Sequence, residues 1–85
     1  MRARMTTEML QALRETPEIP DILITRVDSA QQDGDAFLIT LTDDEAMAMV
    51  EMCQWYIHSD PETGQLTPKA QLFDAIVTAV DEAQA

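Results

Sequence analysis

Two helix-start signals in the second half of the sequence constrain the fold more than any other feature. Thr42 and Glu45 have the Thr-x-x-Glu spacing of a capping box, in which each side chain accepts a hydrogen bond from the other residue's backbone N–H. Thr67 precedes Pro68, and this pair suits a helix start because the first helical residue needs no N–H donor. The sequence therefore predicts one helix from Thr42 to about His58 and another from Thr67 to about residue 82 or 83.

A shorter helix is predicted nearer the N-terminus, from Thr6 or Thr7 to Glu15. Apolar residues recur there every three or four positions, as they do on one face of a helix. The helix is expected to end before Pro17, because proline disfavours helical geometry in the preceding residue. The helix that starts at Thr67 has an apolar stripe of the same period, made of Phe73, Ile76, Val80 and Ala83.

Two strands are predicted between the first and second helices, at about 21–28 and 36–41. Both segments are rich in β-branched and aromatic residues, and the second alternates apolar and polar positions. Asp33-Gly34 is a tight-turn signal, but a wider loop pairs the apolar faces of the strands better, so we expect the wider loop. The predicted fold class is α+β: one small domain, residues 1–85, of helix–hairpin–helix–helix order (αββαα), with the helices packed on a short antiparallel hairpin.

The charge of the chain excludes several classes of partner. The sequence has 16 Asp and Glu against 5 Lys and Arg, a net charge of −11, and two of the arginines fall in a basic N-terminal arm at residues 1–5. We expect no direct binding to nucleic acid and none to membranes, since phosphates and anionic lipids are bound by cationic side chains. The single cysteine, Cys53, cannot form an intrachain disulfide, which favours a cytoplasmic location.

The second helix has more apolar surface than one core face needs. At 100° per residue, its core face consists of Ala46, Met49, Val50, Cys53, Tyr56 and Ile57. Four further apolar residues lie outside this face: Met47, Ala48, Met52 and Trp55. Either the first helix or the hairpin covers them, or they form a contact surface, for which Trp and Met are well suited. The second interpretation predicts a non-enzymatic protein-binding module, either a homodimer or a subunit or inhibitor that caps a larger protein partner.

The acidic residues suggest an alternative function. Asp44 and Glu51 are seven residues apart on the second helix, and Asp74 and Asp81 have the same spacing on the third. Each pair therefore lies on one helix face, where carboxylates can imitate phosphates. The alternative is an acidic nucleic-acid mimic, such as a phage-type inhibitor of restriction or CRISPR machinery, that occupies the cationic groove of a basic nucleic-acid-binding protein. The same acids also fit ordinary solvated helix faces that keep a small protein soluble.

The sequence offers little for catalysis. Cys53 and His58 lie about 140° apart on the predicted helix, so they share no face on which to bind a metal or to form a nucleophile–base pair. Phosphate-binding and zinc-protease motifs are not present in the sequence. We therefore expect no enzymatic activity, no cofactor and no metal site.

Overall fold

A computed structural model describes residues 1–84, which form four helices and a three-stranded antiparallel sheet. The elements are, in chain order, β1 (Arg2–Met5), α1 (Thr7–Arg14), α2 (Asp21–Asp28), β2 (Gln31–Asp33), β3 (Ala36–Thr40), α3 (Asp43–Gln54) and α4 (Pro68–Gln84). The predicted α+β class is confirmed. The order helix–hairpin–helix–helix is also present, but β1 precedes it and α2 is inserted before the hairpin.

The helix starts lie where their caps predict them. At α3, the N–H of Glu45 donates to Thr42 Oγ1 at 3.2 Å and the N–H of Thr42 donates to Glu45 Oε1 at 2.8 Å. At α4, Thr67 Oγ1 accepts from the N–H of Ala70 at 3.1 Å. The expected end of α3 is wrong, since the helix stops at Gln54 and not at His58. Its last turn tightens through a bond from the Tyr56 N–H to the Cys53 carbonyl at 3.0 Å.

The strand predicted at 21–28 is wrong, because this segment is helix α2. Its buried residues, Leu23 and Val27, are four positions apart, which places both on one helix face. In a strand these two side chains would also point to one side, so their spacing does not distinguish a helix from a strand. Packing of this face on the core outweighs the weak β-propensity of the isoleucines.

The N-terminal segment forms a third strand, which the sequence did not predict, whereas the hairpin partner of β3 is β2. Residues 2–5, expected to be a basic arm, form β1 at one edge of the sheet, whose strand order is β1-β3-β2. Ala3 and Met5 are buried, and they pair with Ile39 and Phe37 of β3. Arg4 lies on the outer side and forms an ion pair with Asp33 of β2. The first five residues therefore contribute to the core and do not reach out from it.

The hairpin turn is tight, so the expectation of a wide loop is wrong. Asp33 pairs with Ala36, which leaves a two-residue loop of Gly34 and Asp35. Gly34 has a φ of +64° and Asp35 is not in the left-handed region, as in a type II′ turn. A wide loop would require residues 21–28 to pair with β3, but these residues form a helix.

Helix α4 forms the centre of the core. Its apolar stripe, Ala70, Phe73, Ile76 and Val80, is fully buried. The helix packs against β1, α1 and α3, and its residues belong to one continuous cluster with the buried side chains of those elements. The predicted stripe is confirmed for Phe73, Ile76 and Val80, whereas Ala83 is only half-buried.

Two contacts fix α2 beside α3 in the antiparallel sense. Near the end of α2, the Arg26 guanidinium Nε donates to both carboxylate oxygens of Glu45, at 3.2 and 3.1 Å, at the start of α3. Just before α2, the Pro17 carbonyl lies 3.5 Å from the hydroxyl of Tyr56, which follows α3. Hydrogen bonds from the Thr42 backbone, and then from Arg26, hold the pKa of Glu45 below its ordinary value of 4.5.

Replacing Glu45 with Gln tests this link through its pH dependence. A lowered folded-state pKa stabilises the protein above pH 4.5, and the stabilisation is lost as the pH falls through the folded-state value. Glu45→Gln keeps an oxygen for the capping box but loses the charge. We expect urea unfolding to show a less stable variant at neutral pH and equal stabilities at acid pH. Asp35→Asn, in the exposed hairpin turn, is the matched control; an equally pH-dependent loss there would contradict the assignment.

Candidate protein-binding site

The four apolar residues predicted as a contact surface differ in exposure. Trp55 is 79% exposed and Met47 is 61% exposed, whereas Ala48 and Met52 are half-buried against the core. Neither α1 nor the hairpin covers the indole of Trp55. Ala48 and Met52 of α3 therefore pack against the core, whereas the large side chains of Met47 and Trp55 face solvent.

The end of α3 explains why Trp55 points outward. Tyr56, the next residue, continues the core side of the helix, and its ring stacks on Phe73 of α4 with centroids 5.1 Å apart. Because neighbouring positions on a helix differ by about 100°, the inward position of Tyr56 directs Trp55 away from the core. The exposure of the indole therefore follows from how α3 packs on α4.

Ile22 is a further exposed apolar residue that sequence analysis missed. It is 47% exposed and lies one turn before Arg26, on the face of α2 that Arg26 directs toward α3. Glu45, the partner of Arg26, precedes Ala48 and Met52 on the same side of α3. We define the apolar patch as Ile22, Met47, Ala48, Met52 and Trp55. The sequence does not indicate that Ile22 is exposed, because it predicts a hairpin strand for residues 21–28.

Trp55 stands between two shallow concavities, each of which has a carboxylate in its wall. One, of about 440 Å³, is lined by Pro17, Glu18, Met52, Trp55 and Tyr56. The other, of about 520 Å³, is lined by Glu51, Gln54, Trp55, Ile57 and His58. The indole therefore has an acidic side chain on each side, Glu18 on one and Glu51 on the other.

Glu18 is held in an unusual backbone conformation. Its φ is +60°, a left-handed value that, among the described residues, no other non-glycine residue adopts. Pro17 precedes it, as proline does in a type II turn, where the following residue needs a positive φ. A non-glycine residue pays about 1 kcal/mol or more for this conformation. The Tyr56 hydroxyl lies 3.5 Å from the Pro17 carbonyl, and the turn lines the same concavity as Trp55.

The predicted acidic pairs are exposed, and the pair on α3 shares its face with the apolar patch. Asp44, Glu51 and Trp55 are separated by seven and four residues, so they lie within about 40° of one line along the helix. Asp74 and Asp81 are exposed on α4. We define the acidic rim as Glu18, Asp44 and Glu51. The apolar and acidic features of α3 thus belong to one surface.

The positive charges of the protein lie elsewhere or are paired. Arg4, Arg14 and Arg26 form ion pairs with Asp33, Asp28 and Glu45, respectively. Lys69 shares a concavity with Glu8 and Glu15, and Arg2 shares another with Glu82. Among the described residues, none of these ion pairs includes Glu18, Asp44 or Glu51, and no lysine or arginine lines the two concavities beside Trp55.

The residues considered for catalysis are separated. Cys53 is fully buried, and its removal from water raises the pKa of the thiol to about 12. His58 is exposed in the segment after α3. Within residues 1–84, no three His, Cys, Asp or Glu side chains are placed to hold a metal ion. Over the same residues, no helix has both the length and the apolar character needed to cross a bilayer.

Comparison with protein-family models, with curated proteins and with solved structures found no match to this chain.

The burial of Cys53 predicts a thiol that reacts only after unfolding. At neutral pH almost none of it is thiolate, and the side chain is inaccessible. We expect Ellman's reagent to modify the native protein slowly and the guanidinium-unfolded protein at once. Rapid modification of the native protein, at a rate close to that of a free thiol, would contradict the buried position.

The surroundings of Trp55 predict charge-selective quenching. Trp55 is the single tryptophan of the chain, so the intrinsic emission reports on the apolar patch. We expect emission near that of the unfolded chain, with stronger quenching by caesium than by iodide because of the acidic rim. Glu51→Gln should bring the two quenching constants closer, whereas Asp81→Asn on α4 should not. Equal quenching of the wild-type protein by both ions would contradict the acidic rim.

Proposed function

We propose that this chain is a non-enzymatic protein-binding module that docks a protein partner on the apolar patch centred on Trp55. The observation that carries the proposal is the exposure of Ile22, Met47 and Trp55. These are the large apolar side chains that the described structure leaves open to solvent; Met47 lies on α3, Trp55 at its C-terminal end and Ile22 on α2. Most of the remaining large apolar residues are buried or packed against the core, and Ile24, Leu38 and Leu66 are half-buried.

The size of the effect supports a contact surface. A tryptophan buries about 150–250 Å² in an interface, which at about 25 cal/mol per Å² gives about 4–6 kcal/mol of gross stabilisation. Association costs about 4–15 kcal/mol in lost freedom, so Trp55 alone cannot hold a partner. The additional apolar area comes from Met47, Met52 and Ile22. The side chain of Met52 is half-buried and flexible, so it can adapt to the shape of a partner.

An acidic nucleic-acid mimic is the second candidate, and the unpaired charge favours it. Three of the 16 acidic side chains form ion pairs, which leaves 13 outside them. On α3, however, Met47 and Ala48 separate Asp44 from Glu51, and Trp55 follows. A groove built for phosphates favours a continuous row of charges, and this face is mixed. Apolar docking therefore ranks first.

The burial of the Cys53 thiol, which makes it inaccessible as a nucleophile, supports the non-enzymatic part of the proposal. A free thiol also fits a cytoplasmic location, where thiols stay reduced. The proposal includes no cofactor.

The variant Trp55→Ala tests the proposal. Because Trp55 is exposed, its replacement should leave the midpoint of thermal unfolding unchanged and abolish binding of the partner. The wild-type protein and the variants Trp55→Ala and Asp74→Ala are each immobilised and exposed to a cell extract. The proteins that each one retains are then compared at low and at raised salt. We expect one partner that wild-type protein and Asp74→Ala both retain at raised salt and that Trp55→Ala does not. Once purified, this partner should shift the emission of Trp55 to shorter wavelength.

Two results would contradict apolar docking. One is equal retention of the partner by Trp55→Ala. The other is retention only at low salt, with displacement by DNA and a loss in Asp74→Ala, which is the behaviour of a nucleic-acid mimic.

A further inference from the structure

We infer that the partner segment on the apolar patch is basic and amphipathic, with an apolar anchor flanked by Lys or Arg, and that a second copy of this chain does not bind there. This inference rests on the proposed function and names the chemistry of its partner. It is drawn from the charged residues around Trp55, because the apolar residues alone do not indicate the charge of the partner.

The acidic rim lies close enough to Trp55 to act on anything that binds it. Glu18 and Glu51 line the two concavities that flank the indole. Asp44 lies on the same line of α3, about 16 Å away along the helix axis. A partner that covers Trp55 therefore brings its own side chains beside at least two carboxylates. Exclusion of water from the contact strengthens their attraction for Lys or Arg.

The partner must supply the positive charge, because no lysine or arginine lines the two concavities beside Trp55. Arg26 is bound to Glu45 through both carboxylate oxygens. Arg2 and Lys69 lie in concavities lined by α4 residues together with β1 and α1, respectively, and these do not include Trp55. A neutral or acidic partner would bury the acidic rim without compensation, which costs free energy.

The same charges disfavour a homodimer through this patch. In a two-fold contact the same surface lies on both sides, so Glu18, Asp44 and Glu51 of both copies would be enclosed in one interface. Like charges placed across an interface suppress association. The arginines of β1 lie elsewhere: Arg4 is paired with Asp33 on the sheet, and Arg2 shares a concavity with Glu82 of α4.

Two matched peptides test the inference on the wild-type protein. Each is a helical peptide of about three turns with leucines at i, i+3, i+4 and i+7. One carries lysines beside the leucines and the other carries glutamates. Binding is followed by the emission of Trp55, and sedimentation gives the oligomeric state of the free protein. We expect the lysine peptide to bind at least about tenfold more tightly at low salt, with the ratio falling as salt is raised.

Variants of the protein assign the effect to the rim and to the indole. The double variant Asp44→Asn/Glu51→Gln should weaken the lysine peptide about tenfold, and Asp74→Asn/Asp81→Asn on α4 should change it much less. Binding to Trp55→Ala, followed by calorimetry, should fall about thirtyfold or more. The peptide comparison uses only wild-type protein, so it stands even where a variant is unstable.

Each contrary result has a distinct meaning. Equal binding of the two peptides would overturn the basic partner and leave the docking surface in place. A dimer that buries Trp55 and that Trp55→Ala converts to monomer would also overturn the inference, since a second copy would then be the occupant. Failure of both peptides to bind would overturn the inference and the proposed function together.

Discussion

The structure depends on the packing of α4 against the rest of the chain. Four fully buried side chains, Ala70, Phe73, Ile76 and Val80, give β1, α1 and α3 a common surface to pack on. Phe73 also stacks on Tyr56, which sets the rotation of α3 at its C-terminal end. Because Tyr56 is held inward, Trp55 points to solvent. The position of the exposed indole is therefore a consequence of the core.

The surface around Trp55 is built from segments that are far apart in sequence. The ion pair of Arg26 with Glu45 holds α2 beside α3, and the turn at Pro17 and Glu18 lies against the end of α3. Glu18 in this turn has a left-handed backbone conformation, which costs free energy. This arrangement adds Glu18 to the carboxylates near the indole.

Apolar area and charge have different roles in the proposed contact. Burial of Trp55 and its neighbours supplies most of the attraction, whereas the acidic rim decides which partners can approach and how fast. A small protein with a net charge of −11 meets basic surfaces readily and repels copies of itself. Together, the apolar patch and the acidic rim of the proposed contact therefore favour a partner whose surface is both apolar and basic.

The sequence by itself determined the helix starts, the helical faces and the surplus of apolar residues on α3, because caps and periodicity act between residues close in the chain. Thr42, Glu45, Thr67 and Pro68 mark their helices without tertiary help. Only the tertiary structure decided that 21–28 is helical, that residues 2–5 form an edge strand, and that Glu18 lies beside Trp55. These outcomes depend on contacts between distant segments, whose free energies exceed the weak local preference of isoleucine for strands.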